Sequence, residues 1–398
     1  MTGVGMDPWV WVLVVSVGVV GYAYVGYPVL LLLLRLVRRA PEVVTQAPAE
    51  WPMISITLPA YNAQDTLRPV LEALVRTDYP VDRRHILVVS DGSTDGTDDL
   101  VREYASQGVE LLRVEGRVGK TEVENRAFDA LRGEIIVNTD ASVTIKPDAV
   151  KKLVMALQDH GVGVASGRDI SVASVGAVGH ASEAAYVGYE MWVRDLETAV
   201  GGIVGSSGCL YAIRAPLHRR NLPGHLSRDF SSALWARLNG VRAVSVRDAI
   251  CFVPRAASVQ IEFRRKIRTM SRGIQTLFHH AGLMNPLRHG VFAFMLLSHK
   301  LARWVVPWAM AAVALSVARG ATERWWATIL FAGLSAVVGL AALGWWSEGR
   351  NQPRLTAAAT YLVSGLWAGV VAWKRATFGE GASVWDPTPR ALTRPARD

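Results

Sequence analysis

Four long apolar stretches constrain what this chain can fold into more than any other feature of its sequence. The first, Trp9–Leu34, contains no charged residue and exceeds the about 20 residues that a helix needs to cross a bilayer. The others lie near the carboxyl end, at Leu301–Val317, Trp325–Trp346 and Leu355–Trp373. We therefore predict one amino-terminal and two to three carboxyl-terminal transmembrane helices, because the first and third of the later stretches are short enough to be re-entrant or interfacial.

The composition indicates a membrane protein that also carries a water-soluble domain. Apolar residues make up 51% of the chain and charged residues 19%, and Trp is concentrated near the apolar stretches. The net charge of +9 clusters beside those stretches, so we expect anionic membrane lipids and a phosphate-bearing substrate as partners, and no nucleic acid. Cys209 and Cys251 are too few for a disulfide framework, which predicts core positions in a reducing compartment.

Charges beside the first apolar stretch predict the orientation of the chain. Arg35, Arg38 and Arg39 follow the stretch and no Lys or Arg precedes it, which favours a retained helix over a cleaved signal peptide. By the positive-inside rule the next domain lies in the cytoplasm. The expected location is a bacterial-type inner (plasma) membrane, crossed several times, although four spans would leave the basic tail outside.

From Met53 onwards, short apolar runs alternate with amphipathic segments, which predicts an α/β domain on a parallel sheet. The predicted strands are Met53–Pro59, His85–Ser90, Glu110–Val114, the run from Glu134 up to Asp140, and Cys209–Ile213. Asp91 and Asp140 end two of them. Because ligands of such sheets bind outside the carboxyl ends of the strands, we expect both carboxylates to face one crevice. Alternatively, Asp140 only opens the turn before a helix at Pro147.

Carboxylates at strand ends without a Cys/His cluster suit a hard cation, Mg²⁺ or Mn²⁺, on a diphosphate substrate. Gly119-Lys120-Thr121 is not the end of a P-loop, because Val114 stands where that motif requires glycine. Lys120 nevertheless begins a predicted helix, a position that favours phosphate. The alternative is a solvated lysine.

Two later segments add candidate residues. A glycine-rich run at 201–208 follows a predicted helix, Glu183–Val200, and is either part of a site or a flexible loop. Asp229 precedes a helix that extends to Asn239, where it is either functional or a carboxylate favoured by the helix dipole. Beyond these, Ile261–Phe278 has an apolar stripe opposite several arginines, which predicts a helix in the membrane interface, with a weaker amphipathic piece at Leu287–Leu297.

Five motifs, in this order, resemble those of a known family. They are Pro59-Ala60-Tyr61-Asn62, Val89-Ser90-Asp91-Gly92-Ser93-Thr94-Asp95-Gly96-Thr97, Gly119-Lys120 with Asn125, Thr139-Asp140-Ala141-Ser142, and Arg228-Asp229. The set resembles the inverting, membrane-associated glycosyltransferases of family two, which include the cellulose, chitin and hyaluronan synthases. The resemblance covers roughly residues 54–272.

The resemblance implies a GT-A fold inserted between the amino-terminal and carboxyl-terminal transmembrane helices, and it implies roles for particular residues. Uracil and ribose of a nucleotide sugar would lie against Pro59, Tyr61, Asn62 and Asp91, with Lys120 nearby. Asp140 would bind the metal, Arg268 the diphosphate, and Asp229 would be the general base. The acceptor loop would include Ser206, Ser207 and Gly208. Two features depart from the family pattern: Ser142 replaces a second acid, and residues 264–270 lack the Gln-x-x-Arg-Trp motif of processive synthases.

The sequence therefore predicts an integral membrane glycosyltransferase. It would move a sugar from a nucleotide diphosphate sugar, with UDP favoured, to a lipid-linked or short glycan acceptor with inversion, in cell-surface polysaccharide or glycolipid synthesis. The alternatives are a processive polysaccharide synthase with coupled secretion and a catalytically silent nucleotide-sugar- or lipid-binding regulatory module. The predicted regions are a transmembrane helix (1–39), a linker (40–52), the GT-A domain (53–258), interfacial helices (259–300), a transmembrane region (301–375) and a tail (376–398). The sequence does not specify an oligomeric state.

Overall fold

The computed structural model describes residues 7–43, 46–172, 181–218, 221–254, 258–347 and 353–379. Residues 44–45 of the predicted linker and 380–398 of the predicted tail lie outside this set. The strands are β1 Ile54–Ala60, β2 Arg84–Asp91, β3 Val109–Val114, β4 Ile135–Thr139, β5 Thr144–Ile145, β6 Val162–Val172, β7 Leu210–Arg214 and β8 Arg242–Pro254. The helices are α1 Pro8–Val37, α2 Gln64–Val75, α3 Thr97–Arg102, α4 Lys120–Arg126, α5 Ala149–Ala156, α6 Ala181–Val200, α7 Arg228–Leu238, α8 Val259–His279, α9 Val291–Gly320, α10 Trp325–Trp346 and α11 Arg354–Phe378. A one-turn helix, Pro286–His289, lies between α8 and α9.

The eight strands form one mixed sheet in the order β3-β2-β1-β4-β7-β6-β8-β5. Strands β1 to β4 pair in parallel, as the alternation of strands and helices predicts. Strand β7 runs antiparallel to both of its neighbours, so the prediction of a purely parallel sheet is wrong for this half of the domain. The apolar residues of a strand indicate that it is buried. Its direction depends on where the chain re-enters the sheet, and the periodicity of a single strand does not specify that.

The sheet is buried on both faces at its centre. All seven residues of β1 are buried, and helices α2 and α5 contribute Leu67, Leu71, Leu153 and Val154 to the same core. A strand covered on both faces needs apolar side chains at almost every position, which explains the continuous runs in the sequence. Such burial contributes roughly 1.5–3 kcal/mol for each large aliphatic side chain.

Four of the described helices, α1, α9, α10 and α11, are long and apolar enough to cross a membrane. Helix α1 is joined to the sheet domain by a second core, in which its Tyr27 and Leu31 pack with Leu196 of α6 and Leu296 of α9. Its amino end lies beside the turn between α9 and α10, where Arg324 pairs with Asp7 at 3.4 Å. Helices α1 and α9 therefore run in opposite directions.

Helix α9 begins at Val291, ten residues before the predicted start of the transmembrane region at Leu301. The predicted second amphipathic piece is thus the first part of this helix. Phe292 and Leu296 are buried in the second core, and the polar residues that follow find partners on α6. The contacts of His299 and Arg303 with Glu190 hold this part of α9 against α6.

The apolar stripe of α8 packs against the carboxyl-terminal helices. Phe263 meets Trp345 edge to face, with ring centroids 5.6 Å apart, and Phe278 lies 6.0 Å from Trp373. Between them, Lys266 Nζ lies 3.5 Å from the centre of the Tyr361 ring. The structure forms a helix over the predicted segment, in which Phe263 and Phe278 of the apolar stripe contact α10 and α11, whereas Leu277 lies in the second core.

Candidate active site

A cavity of about 1150 Å³ lies between the carboxyl ends of several strands and the apolar helices. On the sheet side it is lined by the loops after β1 and β4, Asp169 of β6, the start of α4, the glycine-rich segment and the start of α7. On the other side it is lined by α8, α6, α9 and α11. A single space thus connects the sheet domain with helices that are apolar enough for a membrane.

Lys120 and Asp140 form an ion pair in this cavity, with Lys120 Nζ 2.5 Å from Asp140 Oδ1. Asp140 follows β4, and Lys120 is the first residue of α4. Burial alone would lower the pKa of the Lys120 ammonium, but the carboxylates of Asp140 and Glu124 outweigh this effect and raise its pKa above the usual value. Lys120 is therefore paired with Asp140 instead of being free in solvent, and Asp140 both makes this pair and opens the turn after β4, where its carbonyl oxygen accepts from Val143 N.

Asp91 does not reach this cavity. Its carboxylate accepts hydrogen bonds from the backbone N–H groups of Val118 at 2.7 Å and Gly119 at 2.9 Å. It is 2% exposed, and β1 lies between β2 and β4, so the strands that carry Asp91 and Asp140 are not neighbours. The structure does not bring the two carboxylates together, because β1 separates the strands that carry them, and Asp91 is not among the residues that line the cavity. In this structure Asp91 shapes the loop that leads into Lys120.

The segment after β1 brings Tyr61 and Asn62 to the cavity, whereas Pro59 is buried within β1. Asn62 has a positive φ of 44°, and its side-chain oxygen accepts a hydrogen bond from Thr94 N at 2.8 Å. Arg117 lies over the Tyr61 ring, 4.1 Å from its centre. These contacts join the first two motifs into one surface.

Asp229 stands in the first turn of α7 and lines the cavity. Its Oδ1 accepts a hydrogen bond from Ser227 Oγ, and a Cβ built at Gly208 would lie only 2.8 Å from its Oδ2. The glycine therefore allows the acceptor loop to approach the carboxylate. Asp229 is also close enough to Lys120 and Arg272 to affect the pKa of both.

The glycine-rich segment is packed, not a solvent-exposed connection. Ile203 N donates to Ala243 O at 2.8 Å, Ser206 bonds with Ser232 at 3.0 Å, and residues 202–207 are buried. Ser207 Oγ lies 2.7 Å and 2.8 Å from the two carboxylate oxygens of Asp169. The interpretation as a flexible loop is wrong.

Asp169 is a cavity residue that the sequence analysis missed. Burial raises the pKa of its carboxyl, against the opposing effect of the Arg194 charge. The sequence contained a signal, because β6 repeats the pattern of β4, an apolar run that leads to an Asp. We did not predict β6, because glycines interrupt its apolar run.

Arg228, the residue before Asp229, has a structural role that the motif did not reveal. Arg228 is 3% exposed and its Nε lies 3.0 Å from Glu124 Oε2, while its guanidinium also donates to Asn125. This buried ion pair holds the start of α7 against α4. It thereby fixes Asp229 relative to Lys120.

Three arginines of α8, Arg265, Arg268 and Arg272, line the cavity, although the sequence places the last two on the side of the helix opposite its apolar stripe. Arg268 lines the cavity, as expected for a residue near the diphosphate. Arg272 donates to the carbonyl oxygen of Leu226 at 2.5 Å, so it supports the segment that leads into α7. The sheet domain and α8 therefore build one site.

Comparison with known proteins identifies the domain. Residues 55–206 match the family model described as Glycosyl transferase family 2. The chain contains a glycosyltransferase family 2 domain. It is 34% identical over 116 residues to the probable glycosyltransferase YdaM of Bacillus subtilis, covering 28% of this chain and 27% of that protein. It is 31% identical over 123 residues to an N-acetylglucosaminyltransferase of Mesorhizobium japonicum, covering 30% of this chain and 28% of that protein.

The similarity in fold extends beyond the matched segment. The structure of the mannosyltransferase PcManGT from Pyrobaculum calidifontis, in complex with GDP-Man and Mn²⁺, superposes with a TM-score of 0.70 at 22% identity. The superposition covers 93% of this chain and 99% of the other. The predicted GT-A fold is confirmed. The curated relatives match over little more than a quarter of their own length, so they do not define the activity of the whole protein.

The residues of this cavity fit a divalent cation bound mainly by substrate. Among the described residues no group of three His, Cys, Asp or Glu side chains converges on one point. Asp140 is the carboxylate that pairs directly with Lys120 in the cavity, and Ser142 stands two residues on. A single carboxylate plus diphosphate oxygens and water is an ordinary set of ligands for Mg²⁺.

Proposed function

We propose that this protein is an integral membrane glycosyltransferase that moves a sugar from a nucleotide diphosphate sugar to a lipid-linked or short glycan acceptor, with inversion. One observation carries the proposal. The cavity that contains the Lys120–Asp140 pair and Asp229 extends between α9 and α11, two helices apolar enough for a membrane. A water-soluble donor and an acceptor that is bound to the membrane can therefore meet in it.

The donor occupies the sheet side of the cavity in this proposal. Tyr61 and Asn62 contact the nucleoside, and Lys120 and Arg268 balance the charge of the diphosphate. Asp140 holds the metal, which when bound neutralises the diphosphate and assists its departure. UDP is the nucleotide that the family resemblance favours, while the structural neighbour bound to GDP-Man makes GDP the second candidate to test.

The chemical step requires a base and a stabilised leaving group. The acceptor hydroxyl oxygen forms a bond to the anomeric carbon from the face opposite the diphosphate, and the bond from that carbon to the diphosphate oxygen breaks. The electron pair leaves with the nucleoside diphosphate, and the hydroxyl proton passes to the Asp229 carboxylate. Lys120 remains charged throughout, so its ammonium stabilises the negative charge that develops on the leaving group.

The proposed orientation places this chemistry in the cytoplasm. Arg35, Arg38 and Arg39 follow the apolar part of α1, and α9 returns towards the amino end of α1. The site therefore lies at the end of α1 that carries the basic residues. We propose a multi-pass protein of the inner (plasma) membrane with its sheet domain inside.

The test is donor turnover by the full chain in detergent or nanodiscs. With Mn²⁺ or Mg²⁺ and membrane lipid extract, one member of a panel of UDP- and GDP-sugars should release nucleoside diphosphate. Asp229→Asn should lower this rate about 100-fold or more, because general base catalysis typically contributes that much, while donor binding stays within about twofold. If no donor turns over, or if Asp229→Asn keeps the full rate, the proposed reaction or its base is wrong.

A further inference from the structure

The cavity has a second lobe on its membrane side that the proposed donor site does not use. We call it the basic lobe and define it by Glu190 and Arg194 of α6 and by His299, Lys300 and Arg303 of α9, all of which line the cavity. The three α9 residues belong to a helix that is apolar enough to cross a membrane. Ionisable side chains in such helices are costly to bury and mark functional sites more often than structural ones.

Part of this lobe holds helices together. His299 Nδ1 lies 2.6 Å from Glu197 Oε1 and its Nε2 lies 3.0 Å from Glu190 Oε1, while Tyr27 Oη donates to Glu197 at 2.5 Å. These contacts join α1, α6 and α9. They explain the histidine and both glutamates without any ligand.

These contacts do not account for the positively charged side chains of the basic lobe. The Glu190 carboxylate is shared by three side chains. Besides His299, Arg303 Nη1 lies 2.5 Å and Arg194 Nε lies 3.4 Å from its oxygens. Lys300 Nζ is 3.9 Å from the same carboxylate, beyond hydrogen-bond distance. Within the described part of the chain, Arg194 Nη1 and Arg303 Nε are buried and donate no hydrogen bond. A buried N–H donor that lacks an acceptor is costly, so these groups favour an anion with several oxygens.

The wall beyond the basic lobe is apolar. Val306 and Pro307 of α9 line the same cavity about one to two turns beyond Lys300, and Leu362 and Leu366 of α11 face it from the other side. A ligand that fills both parts needs a charged head and a hydrocarbon tail. A free phosphate ion or a soluble sugar phosphate would contact only the basic lobe and would leave the apolar wall without a ligand.

The basic lobe is also in contact with the proposed acceptor loop. A Cβ built at Gly205 would lie 3.4 Å from Lys300 Nζ, and the ammonium is 5.6 Å from the centre of the Phe230 ring. Phe230 directly follows Asp229. A headgroup held by Lys300 therefore lies beside the loop that approaches the general base.

We propose that the basic lobe binds the phosphate of a lipid acceptor, with Lys300 as its main contact and Arg194 and Arg303 completing the site, and with the hydrocarbon chain between α9 and α11. This inference rests on the proposed function for the identity of the lipid as acceptor. Lys300 is then a specificity residue, which selects phosphorylated lipids over neutral ones.

Binding can be measured without turnover. Phosphatidic acid and diacylglycerol share their acyl chains and differ by the phosphate, so native mass spectrometry of the full chain in detergent with each lipid isolates the contribution of the headgroup. We expect phosphatidic acid to bind at least about tenfold more tightly than diacylglycerol, since hydrogen bonds to charged groups are worth about 1.5–3 kcal/mol, or roughly 10- to 100-fold. Lys300→Met should remove most of this preference, and Lys300→Arg should retain it.

A matched control separates this site from general attraction to the basic surface. Arg264 is exposed on α8 and does not line the cavity, so Arg264→Met should weaken binding only at low salt, where surface charges are unscreened. The Lys300→Met loss should persist at high salt. The proposal is overturned if Lys300→Met binds phosphatidic acid like the unsubstituted protein, if diacylglycerol binds as tightly, or if inorganic phosphate at the same concentration displaces the lipid.

Failure of this inference can be distinguished from failure of the proposed function. Donor turnover with no preference for phosphorylated lipid would overturn this inference alone. Lipid phosphate binding that depends on Lys300, in a protein that turns over no donor, would overturn the proposed transfer reaction while the binding site stands.

Discussion

Lys120 Nζ lies 2.5 Å from Asp140 Oδ1, so the residue that would bind a metal and the residue that would bind phosphate neutralise each other before substrate arrives. A metal cation that binds Asp140 must compete with the Lys120 ammonium. A diphosphate must attract that ammonium away from Asp140. Binding of metal and of nucleotide should therefore be coupled. Neither the metal nor the nucleotide should bind strongly in the absence of the other.

This coupling predicts the behaviour of two variants. Lys120→Met should weaken binding of UDP or GDP about 10-fold or more through loss of a charge-assisted hydrogen bond, and it should tighten Mn²⁺ binding by the free protein. Asp140→Asn should weaken Mn²⁺ binding in the presence of nucleotide. Calorimetry measures the nucleotide and electron paramagnetic resonance measures free Mn²⁺. Lys152→Met, on the surface beside Asp148, is the control and should change neither.

The close approach of Gly208 to Asp229 gives a second prediction. A Cβ at Gly208 would lie 2.8 Å from Asp229 Oδ2, so Gly208→Ala must displace the carboxylate or the loop. We expect kcat to fall about 10-fold or more with little change in donor affinity, because the donor contacts lie elsewhere. Gly201→Ala in the same segment has only an ordinary contact, at 3.8 Å from Met295, and should retain activity. Equal losses in both variants would contradict this role for Gly208.

The buried pair of Arg228 and Glu124 gives a third prediction, on stability. Arg228→Met or Glu124→Met alone should lower the free energy of unfolding by about 3–5 kcal/mol, because each leaves an uncompensated buried charge. The double variant should lose less than the sum. Thermal unfolding of the four proteins gives the coupling. Arg126→Met breaks an exposed pair with Glu122 on the same helix and should cost at most about 1 kcal/mol.

His218 gives a prediction on pH. It is 4% exposed and stacks on Phe128, and burial together with the Arg228 charge lowers its pKa to about 3. As the pH falls, His218 therefore takes up its proton in the unfolded chain before it does so in the folded protein. Its contribution to the free energy of unfolding is fully present above about pH 6.5 and is lost as the pH falls towards 3. Between pH 7 and pH 5 this residue should cost about 2 kcal/mol of stability.

Replacing the histidine tests this. His218→Leu should reduce the drop in unfolding temperature between pH 7 and pH 5, measured in one detergent at both values. His160→Leu alters an exposed histidine and should keep the drop seen in the unsubstituted protein. If His218→Leu shows the same drop as well, groups other than His218 are responsible for the acid sensitivity.

Much of the site was predictable, because its residues stand at the ends of elements that the sequence marks clearly. Asp140 follows a buried β-branched run, Lys120 begins a helix, and Asp229 opens another helix, so their placement follows from local periodicity. Asp169 was missed because glycines interrupt its strand. The basic lobe was missed because His299, Lys300 and Arg303 look like the flank of a membrane helix until their partners on α6 are known.

The sequence by itself determined the α/β class and the amino-terminal apolar helix, because each depends on the identity and spacing of residues that are close in the chain, and the resemblance of its ordered motifs to a known family implied the GT-A fold. Only the tertiary structure decided that β7 runs antiparallel and that β1 separates Asp91 from Asp140. It also placed Lys300 beside the acceptor loop, although 95 residues separate it from Gly205 in the chain. Strand order and helix docking result from packing between distant segments, and the periodicity of one segment does not specify its neighbours.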